Sequence, residues 1–357
     1  MSELKELVFR LSNAHGISGY EDEIREIVRA ELEEHVDEIK VDRMGNIVCV
    51  KNGNDFTEMI AAHMDEIGFM VKYIEENGYL RITPIGGWFS QTAVNQRVIL
   101  HGKKGKVLGV LGCKPPHFMK DEERKKIIEI RDMFIDIGAE TKDEVREMGV
   151  DIGTPVTIDR ECRKIGKYIT GKAMDDRAGV AVMVEAVKRT ETDATVFAVG
   201  TVQEEVGLKG ARTSAYSITP DVAIALDTAP STDFPGAENV KIDVKLEKGP
   251  VITVADASGR GLIASRKVLE WLVETAGNYK IEHQLEVGEG GTTDATAIHL
   301  TKEGIPTGVV SVPARYIHTP VEVISLKDVD LSAELVARAL ETAPDYFRDE
   351  WHQKMKK

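Results

Sequence analysis

The chain has 357 residues, of which 46 are basic and 60 acidic, and its formal net charge is −14. This length suggests two domains or one large domain with an insertion, and the acidic balance argues against nucleic acid or an anionic membrane as the main partner. No apolar run approaches the roughly 18 residues that a membrane-spanning helix needs. The three cysteines, Cys49, Cys113 and Cys162, contain no CxxC pair, so we expect no disulfide framework, and we predict a cytoplasmic location.

The N-terminal segment has the pattern of two helices followed by two strands. Apolar residues at helical spacing predict a helix over residues 1–12. Ser18, with Glu21 three residues later, predicts a capping box at the start of a second helix. Strands are predicted at 46–51 and 58–63.

Residues 68–162 have a different character, with short alternating segments separated by Gly-rich turns. This pattern predicts a small β-rich module of a barrel or PDZ-like type. The charged run Lys120–Lys126 within it is interpreted as a solvated helix or loop. We therefore predict that 68–162 is inserted into a main domain formed by 1–67 and 163–357.

From Gly171 onwards, apolar strands alternate with helices. Helices are predicted at 177–189, 263–276 and 326–341, and strands at 194–202, 222–226, 280–286 and 306–311. Buried strands that alternate with helices predict an α/β fold, with a mixed, largely parallel sheet and helices on both faces.

Several of these strands are followed by polar residues that can carry chemistry. In open α/β sheets, sites form outside the carboxyl ends of the strands. The polar residues at or near these ends are His63, Asp65, Asp175, Glu204, Glu205, Asp227 and His318. Each of them alone is ordinarily a turn or cap residue. Together they would place two histidines among several carboxylates, and the repulsion between those carboxylates calls for cations.

The residue types indicate which cations. Imidazole together with carboxylate suits zinc, cobalt or manganese rather than calcium or magnesium. Five ligands around one bridging carboxylate can serve two ions. Asp175 would bridge, His63 and Asp227 would complete one ion, and Glu205 and His318 would complete the other. We therefore expect two divalent ions per chain, Zn²⁺ or Co²⁺.

Two further residues are expected to take part in catalysis without being ligands. The i, i+2 spacing puts the side chains of His63 and Asp65 on one side of an extended chain. Asp65 can therefore accept a hydrogen bond from the second ring nitrogen of His63 and fix its tautomer. Glu204 precedes a ligand and points away from it, so it can act as general base towards a hydroxide that bridges the metals and then pass the proton to a leaving amine.

Other functions explain fewer of these residues. The segment Gly259–Ala264 matches a dinucleotide fingerprint, but a dinucleotide site leaves the histidines and carboxylates unexplained. A glycoside hydrolase needs two carboxylates that face each other across a sugar, whereas the adjacent Glu204 and Glu205 diverge. A non-catalytic, metal-stabilised assembly module would leave Glu204 without a role. The last two hypotheses are kept as alternatives.

Six segments resemble the tetrahedral aminopeptidases, a family of dinuclear-metal exopeptidases that includes proteins long labelled endoglucanases. These segments are HMDEIGF (63–69), GKAMDDRAG (171–179), TVQEEVGLKGA (201–211), ALDT (225–228), GGTTDATAIH (290–299) and SVPARYIHTPVE (311–322). The resemblance implies a metal-dependent aminopeptidase that removes N-terminal residues from peptides, with the ligands, base and supporting Asp65 as given above. It also implies that the β-rich insertion mediates dimerisation and that dimers build a hollow homododecamer with interior active sites.

Overall fold

A mixed sheet of eleven strands forms the centre of the larger part of the molecule, and six further strands close into a barrel. The structure, a computed structural model, describes residues 2–354. The strands are β1 (Glu38–Val41), β2 (Ile47–Lys51), β3 (Thr57–His63), β4 (Gly68–Ile74), β5 (Leu80–Ile85), β6 (Arg97–Gly102), β7 (Gly105–Gly112), β8 (Phe134–Asp136), β9 (Pro155–Ile158), β10 (Arg163–Ile165), β11 (Tyr168–Gly171), β12 (Thr195–Thr201), β13 (Val222–Pro230), β14 (Val251–Ala255), β15 (Gln284–Val287), β16 (Thr307–Arg315) and β17 (Glu322–Ile324). The α-helices are α1 (Ser2–Asn13), α2 (Asp22–Leu32), α3 (Ser90–Ala93), α4 (Asp121–Arg124), α5 (Lys142–Glu147), α6 (Met174–Arg189), α7 (Lys209–Ile218), α8 (Arg266–Asn278), α9 (Ala295–Ile298) and α10 (Leu326–Lys354).

The order of strands in the large sheet is β1-β2-β12-β3-β13-β16-β17-β11-β10, and β14 also pairs with β16 and carries β15 on its other side. The central strands β12, β3, β13 and β16 run parallel to one another. The outer pairs, such as β1 with β2 and β10 with β11, are antiparallel. This confirms the predicted α/β class, a mixed sheet with a parallel centre.

Helices cover both faces of this sheet, because its central strands are apolar on both sides. On one face, α1, α2, α6, α8 and α10 enclose a core that includes Leu7, Ile24 and Trp271. On the opposite face, Ala211 of α7 and Ile298 of α9 pack against the sheet. Burial on both sides is what a parallel sheet between helix layers requires.

The six strands β4 to β9 form a separate closed barrel in the order β4-β5-β8-β7-β6-β9. Every pair of neighbours in it is antiparallel. The barrel has its own apolar core, which includes Phe69, Leu100 and Ile135. These strands lie within the β-rich stretch predicted at 68–162. The domain limits and the dimerisation role of that stretch stay predictions.

Some element boundaries differ from the sequence-based expectations. The strand expected at 280–286 begins only at Gln284, because pairing with β14 starts there. The last helix continues to Lys354 rather than ending at 341. The short strands β1, β10, β11 and β17 were not predicted, since they are three or four residues long and most of them lack the apolar alternation of a half-buried strand.

The predicted capping box at the start of α2 is wrong. Glu21 is the N-cap residue, and no side chain caps the helix there. The Ser18 hydroxyl instead donates to the carboxylate of Asp65, 47 residues further along. Glu21 accepts hydrogen bonds from the backbone N–H groups of Gly19 and Gln203. Both side chains are therefore used to join remote segments near the carboxyl ends of the strands.

Two features of the helices concern the surface. The charged run Lys120–Lys126 is exposed and contains the short helix α4, as its composition predicts. Among the helices within residues 2–354, none is both long enough and apolar enough to cross a membrane.

Candidate metal centre

The carboxyl ends of the central strands converge on one edge of the sheet. His63 is the last residue of β3 and lies in register with Thr201 of β12, three residues before Glu204. Asp227 lies in β13, in register with Ser311 of β16. Parallel strands end at the same edge, so side chains from three separate stretches of the chain meet there.

The remaining candidates come from a helix start and a loop. Asp175 lies in the first turn of α6, where its backbone is not yet helical and the peptide bond to Asp176 is cis. His318 follows β16 in a loop and has a positive φ of 60°. Both residues point towards the edge where β3, β12 and β13 end.

These side chains form two groups that share Asp175, and in each group the ligand atoms lie within 4.8 Å of one another. The first group is His63, Asp175 and Asp227, and the second group is Asp175, Glu205 and His318. Nε2 of His63 is 3.3 Å from Oδ1 of Asp175, and Nε2 of His318 is 3.3 Å from Oδ2 of the same carboxylate. One carboxylate therefore faces both groups with its two oxygens, which is the arrangement expected of a bridging ligand.

Glu204 belongs to neither group but lies beside the first. Its Oε2 is 4.0 Å from Nε2 of His63, and its side chain is largely buried. It lines a cleft of about 590 Å³ into which Asp175, Asp227 and His318 also project. Glu204 can therefore reach a molecule in the cleft without being needed to complete either group.

Asp65 acts on more than His63. Nδ1 of His63 is 3.1 Å from the backbone carbonyl oxygen of Asp65 and 3.5 Å from its carboxylate. That carboxylate accepts hydrogen bonds from the backbone N–H groups of Glu204, at 2.9 Å, and Glu205, at 3.2 Å. The expected contact with His63 is thus shared with the backbone, and the carboxylate mainly holds the Glu204–Glu205 segment in place.

Glu322 contributes to the second group in a way that sequence reasoning missed. One oxygen of its buried carboxylate accepts from the backbone N–H of Asp175 at 3.0 Å, and the other accepts from the backbone N–H of His318 at 2.8 Å. It therefore joins the helix start and the loop that supply two of the three side chains. Glu322 ends the motif SVPARYIHTPVE, but a carboxylate that binds only backbone groups leaves no recognisable spacing.

A buried ion network lies on the other side of Asp65. Both oxygens of Glu66 accept from Nζ of Lys172 at 2.8 Å, and Nη2 of Arg177 lies 3.4 Å from Oε1. All three side chains are almost completely buried. The lysine and the arginine also donate to backbone carbonyls of the segment that follows α1. The network fixes the ends of β3 and α6, from which the first group is built.

The barrel also reaches the second group, through the loop Gly86–Trp88 that follows β5. A Cβ atom on Gly86 would lie 3.2 Å from Oε2 of Glu205, and one on Gly87 would lie 3.1 Å from Nδ1 of His318. The indole of Trp88 donates to the backbone carbonyl of Gly68 at 2.9 Å, which holds this loop on the barrel.

The electrostatics of the site show an excess of buried negative charge. Burial, with the nearby Asp175 as the next cause, raises the pKa of Asp227 well above its ordinary value. Burial lowers the pKa of His318, but hydrogen bonds with Asp175 and Glu205 outweigh it and raise that pKa to about 11. Burial likewise raises the pKa of Glu204. Carboxylates in this position need positive charge to be ionised together.

The donor set of each group suits divalent cations. Each has one imidazole nitrogen and two carboxylates, which is the chemistry of zinc and cobalt sites. The shared carboxylate supplies one oxygen to each group. The residues present therefore fit two divalent ions, one per group.

The chain is similar to known peptidases over nearly its whole length. Residues 45–335 match the model of the M42 glutamyl aminopeptidase family. An aminopeptidase from the archaeon Desulfurococcus kamchatkensis has a structure similar to this one, with a TM-score of 0.93, 44% identity and 97% of each chain covered.

Two further relatives are informative. The lysyl aminopeptidase of Pyrococcus furiosus is 35% identical over 341 residues, which is 94% of this chain and 96% of that protein. The TET1 peptidase of Pyrococcus horikoshii, which can assemble into a tetrahedron or a large octahedral shell, has a TM-score of 0.84 and 35% identity over 95% of this chain and 99% of its own. The match to the family model and these similarities over the full length show that the chain belongs to the M42 aminopeptidase family.

Proposed function

We propose that this M42 aminopeptidase removes N-terminal residues from peptides in a metal-dependent reaction in which Glu204 moves the proton. The observation that carries the proposal is the pair of three-residue groups that share Asp175, with Glu204 beside them and in the same cleft. His63, Asp175 and Asp227 would hold one cation, and Asp175, Glu205 and His318 the other. When bound, two divalent ions supply Lewis acidity towards the peptide carbonyl and make water a stronger acid.

The chain's own residues divide the remaining tasks. Glu204 takes a proton from the attacking water on its carboxylate and returns it to the amine that leaves. Asp65 orients Glu204 and Glu205 through their backbone N–H groups, and Glu322 orients Asp175 and His318 in the same way. The proposed base and three of the proposed metal ligands are thus held by carboxylates bound to their backbones.

The geometry favours this function over the alternative of a glycoside hydrolase, which the sequence left open. A glycosidase uses one carboxylate pair and has no need of histidines, whereas each group here contains one imidazole beside its carboxylates. The non-catalytic assembly hypothesis leaves unexplained why the largely buried Glu204 lines the cleft without completing a group.

We also propose that the chain assembles into a homo-oligomer built from dimers, with a dodecamer as the complete form. Large apolar side chains of the barrel segment are exposed in the single chain, as expected of a surface that another copy covers. They include Phe89, Leu108, Val110, Phe118, Ile127 and Ile152. Light scattering should give a mass of twelve chains of 39.4 kDa each. A stable monomer at working concentration would contradict the proposal. The cytoplasmic location stays a prediction.

The activity is tested by hydrolysis of aminoacyl-p-nitroanilides, each assayed beside its N-acetylated form. We expect cleavage of the free-amine substrates alone, loss of cleavage with a chelator, and recovery when Zn²⁺ or Co²⁺ is added. Cleavage of the acetylated forms would contradict an exopeptidase. Hydrolysis of cellulose-type substrates without hydrolysis of any p-nitroanilide would support the glycosidase instead.

A further inference from the structure

One end of the active-site cleft, away from the two metal groups, is lined by carboxylates that form no ion pair with any described residue. Asp256 and Glu286 both line the cleft, and they are 5% and 8% exposed. Oδ1 of Asp256 accepts from the backbone N–H of Leu262, but its Oδ2 is buried without any hydrogen-bond partner. Among the described residues, the Glu286 side chain makes no hydrogen bond or ion pair.

The sheet register places Glu286 on the same face as the first group. Asp227 pairs with Ser311, and Ser311 pairs with Val251 on the next strand. Two residues further along β14, Thr253 pairs with Glu286. Paired residues point to the same face, as do residues two apart in one strand, so these side chains form one continuous surface of the cleft.

This surface has a length that a long side chain would span. Three strand spacings separate β13 from β15, which is roughly 14 Å between the backbones. The side chains of Asp227 and Glu286 extend into the cleft, so the gap between their polar groups is shorter than this separation of the backbones. A substrate whose reacting bond lies at the metal groups would therefore need an extended side chain to reach Glu286.

The basic side chain that acts on this end of the cleft from outside its lining is His299, which tends to lower the pKa of Asp256. Of the described residues that line the cleft, none is a lysine or an arginine. Burial, with Asp256 as the second cause, raises the pKa of Glu286. Two buried carboxylates close enough to repel each other are stabilised by a positive charge between them. Since no described residue that lines the cleft supplies that charge, a cationic ligand would.

We propose that this end of the cleft binds the side chain of the substrate's N-terminal residue and selects a cationic one, lysine or arginine, through Glu286 with Asp256 behind it. This inference rests on the proposed aminopeptidase function. It also predicts discrimination against an acidic N-terminal residue, because a glutamate side chain would meet like charges that have no compensating cation. The preferred substrate would then differ from the glutamyl substrate in the name of the family.

The test compares kcat/KM for lysyl-, arginyl-, methionyl- and glutamyl-p-nitroanilide. Methionine is nearly as long as lysine and carries no charge, so the lysine-to-methionine ratio isolates the cation. In the native protein we expect the lysyl and arginyl substrates to exceed the methionyl substrate, and the glutamyl substrate to be the poorest. Glu286→Gln keeps the shape and removes the charge, and should lower the lysine-to-methionine ratio by about ten- to hundredfold.

Two further variants complete the design. Asp256→Asn retains a carbonyl oxygen for the Leu262 N–H and should lower the same ratio by a smaller factor. Glu303→Gln makes the same charge change at an exposed position that does not line the cleft, and should leave the ratio unchanged. The circular dichroism spectrum and the metal content of every variant show whether the fold and the metal groups are intact.

The outcomes separate the two proposals. If the native protein cleaves methionyl- or glutamyl-p-nitroanilide better than the lysyl and arginyl substrates, the specificity is wrong while the aminopeptidase function stands. A ratio that Glu286→Gln leaves unchanged overturns the role of Glu286 in the same way. Failure to cleave any free-amine substrate with Zn²⁺ or Co²⁺ present overturns the aminopeptidase function, and the specificity with it.

Discussion

The two groups that share Asp175 are held by different structural elements. In the first group, His63 ends a central strand and its side chain is 2% exposed, and Asp227 also lies within a strand. In the second group, His318 lies in a loop, has a positive φ and has a side chain that is 39% exposed. The first group is therefore positioned by the sheet itself, whereas the second depends on contacts that hold a loop.

The residues that support the two groups also differ. The first group is supported by the buried network of Glu66, Lys172 and Arg177. The second is supported by the two hydrogen bonds of Glu322 and is bordered by the barrel loop Gly86–Trp88. We therefore expect the first group to lose its geometry only when the fold is destabilised, and the second to respond to local changes in its loop.

The largest effect is expected for Glu204, whose loss should lower turnover without removing a metal ion from either group. Glu204→Gln removes the proton acceptor but no member of either group. We expect kcat to fall about 10²- to 10⁴-fold, while the number of metal ions per chain, measured by elemental analysis, stays that of the native protein. Near-native turnover would show that Glu204 is not the base, and loss of a metal ion would show that it belongs to the first group.

Next in size is the effect of removing the support of the first group. Glu66→Gln leaves Lys172 and Arg177 buried without a carboxylate, and breaking a buried ion pair in this way costs about 3–5 kcal/mol. Denaturant unfolding of the metal-free protein should show this loss in the free energy of unfolding. The exposed Glu303→Gln is the control and should change it by less than about 0.5 kcal/mol. Equal stability of the two variants would contradict the dependence of the first group on this network.

An intermediate effect is expected for Glu322, larger at the second group than at the first. In Glu322→Gln, the amide can accept from only one of the two backbone N–H groups that the carboxylate binds. Loss of such supporting contacts weakens metal binding about 10- to 100-fold. Competition with a chelator should show a larger loss at the second group than at the first, because Glu322 holds Asp175 of both groups but His318 of the second alone. Thr319→Ser, which keeps a hydroxyl in the same loop, should leave both sites unchanged, and equal weakening of the two sites in Glu322→Gln would refute the asymmetry.

The smallest effect concerns the barrel loop. In Gly87→Ala, the new Cβ would lie 3.1 Å from Nδ1 and 3.2 Å from Cε1 of His318, so the ring must shift by a few tenths of an ångström. We expect a loss of affinity at the second group of less than about tenfold, measured in the same chelator competition. A loss of affinity confined to the first group would contradict the assignment of this loop to the second group.

The sequence predicts those residues of the site that lie at the ends of strands. Uninterrupted apolar runs identify β3, β12 and β13, and parallel strands must end at one edge, so His63, Glu205 and Asp227 are expected to meet. Their roles as ligands, and those of Asp175 and His318, remain predictions that metal analysis can test.

The parts that were not predicted depend on contacts between remote segments. Glu322 is 147 residues from Asp175, and it binds a backbone N–H that every residue type has. Ser18 has the spacing of a helix cap, yet its hydroxyl donates to Asp65 because the folded chain brings that carboxylate within 2.6 Å. A local pattern contains no information about such partners, since they are set by the packing of whole elements.

The contact between the loop Gly86–Trp88 and His318 has a consequence for the assembled state. Because this loop borders a metal group at one end and belongs to the barrel at the other, we expect cation binding and the proposed pairing of barrels to be thermodynamically linked. If pairing of barrels orders this loop and strengthens cation binding by some factor, cation binding strengthens the pairing by the same factor. Dilution of the protein and removal of the cation would then both lead to the same dissociated form. Dilution would weaken cation binding, and removal of the cation would weaken the pairing of barrels.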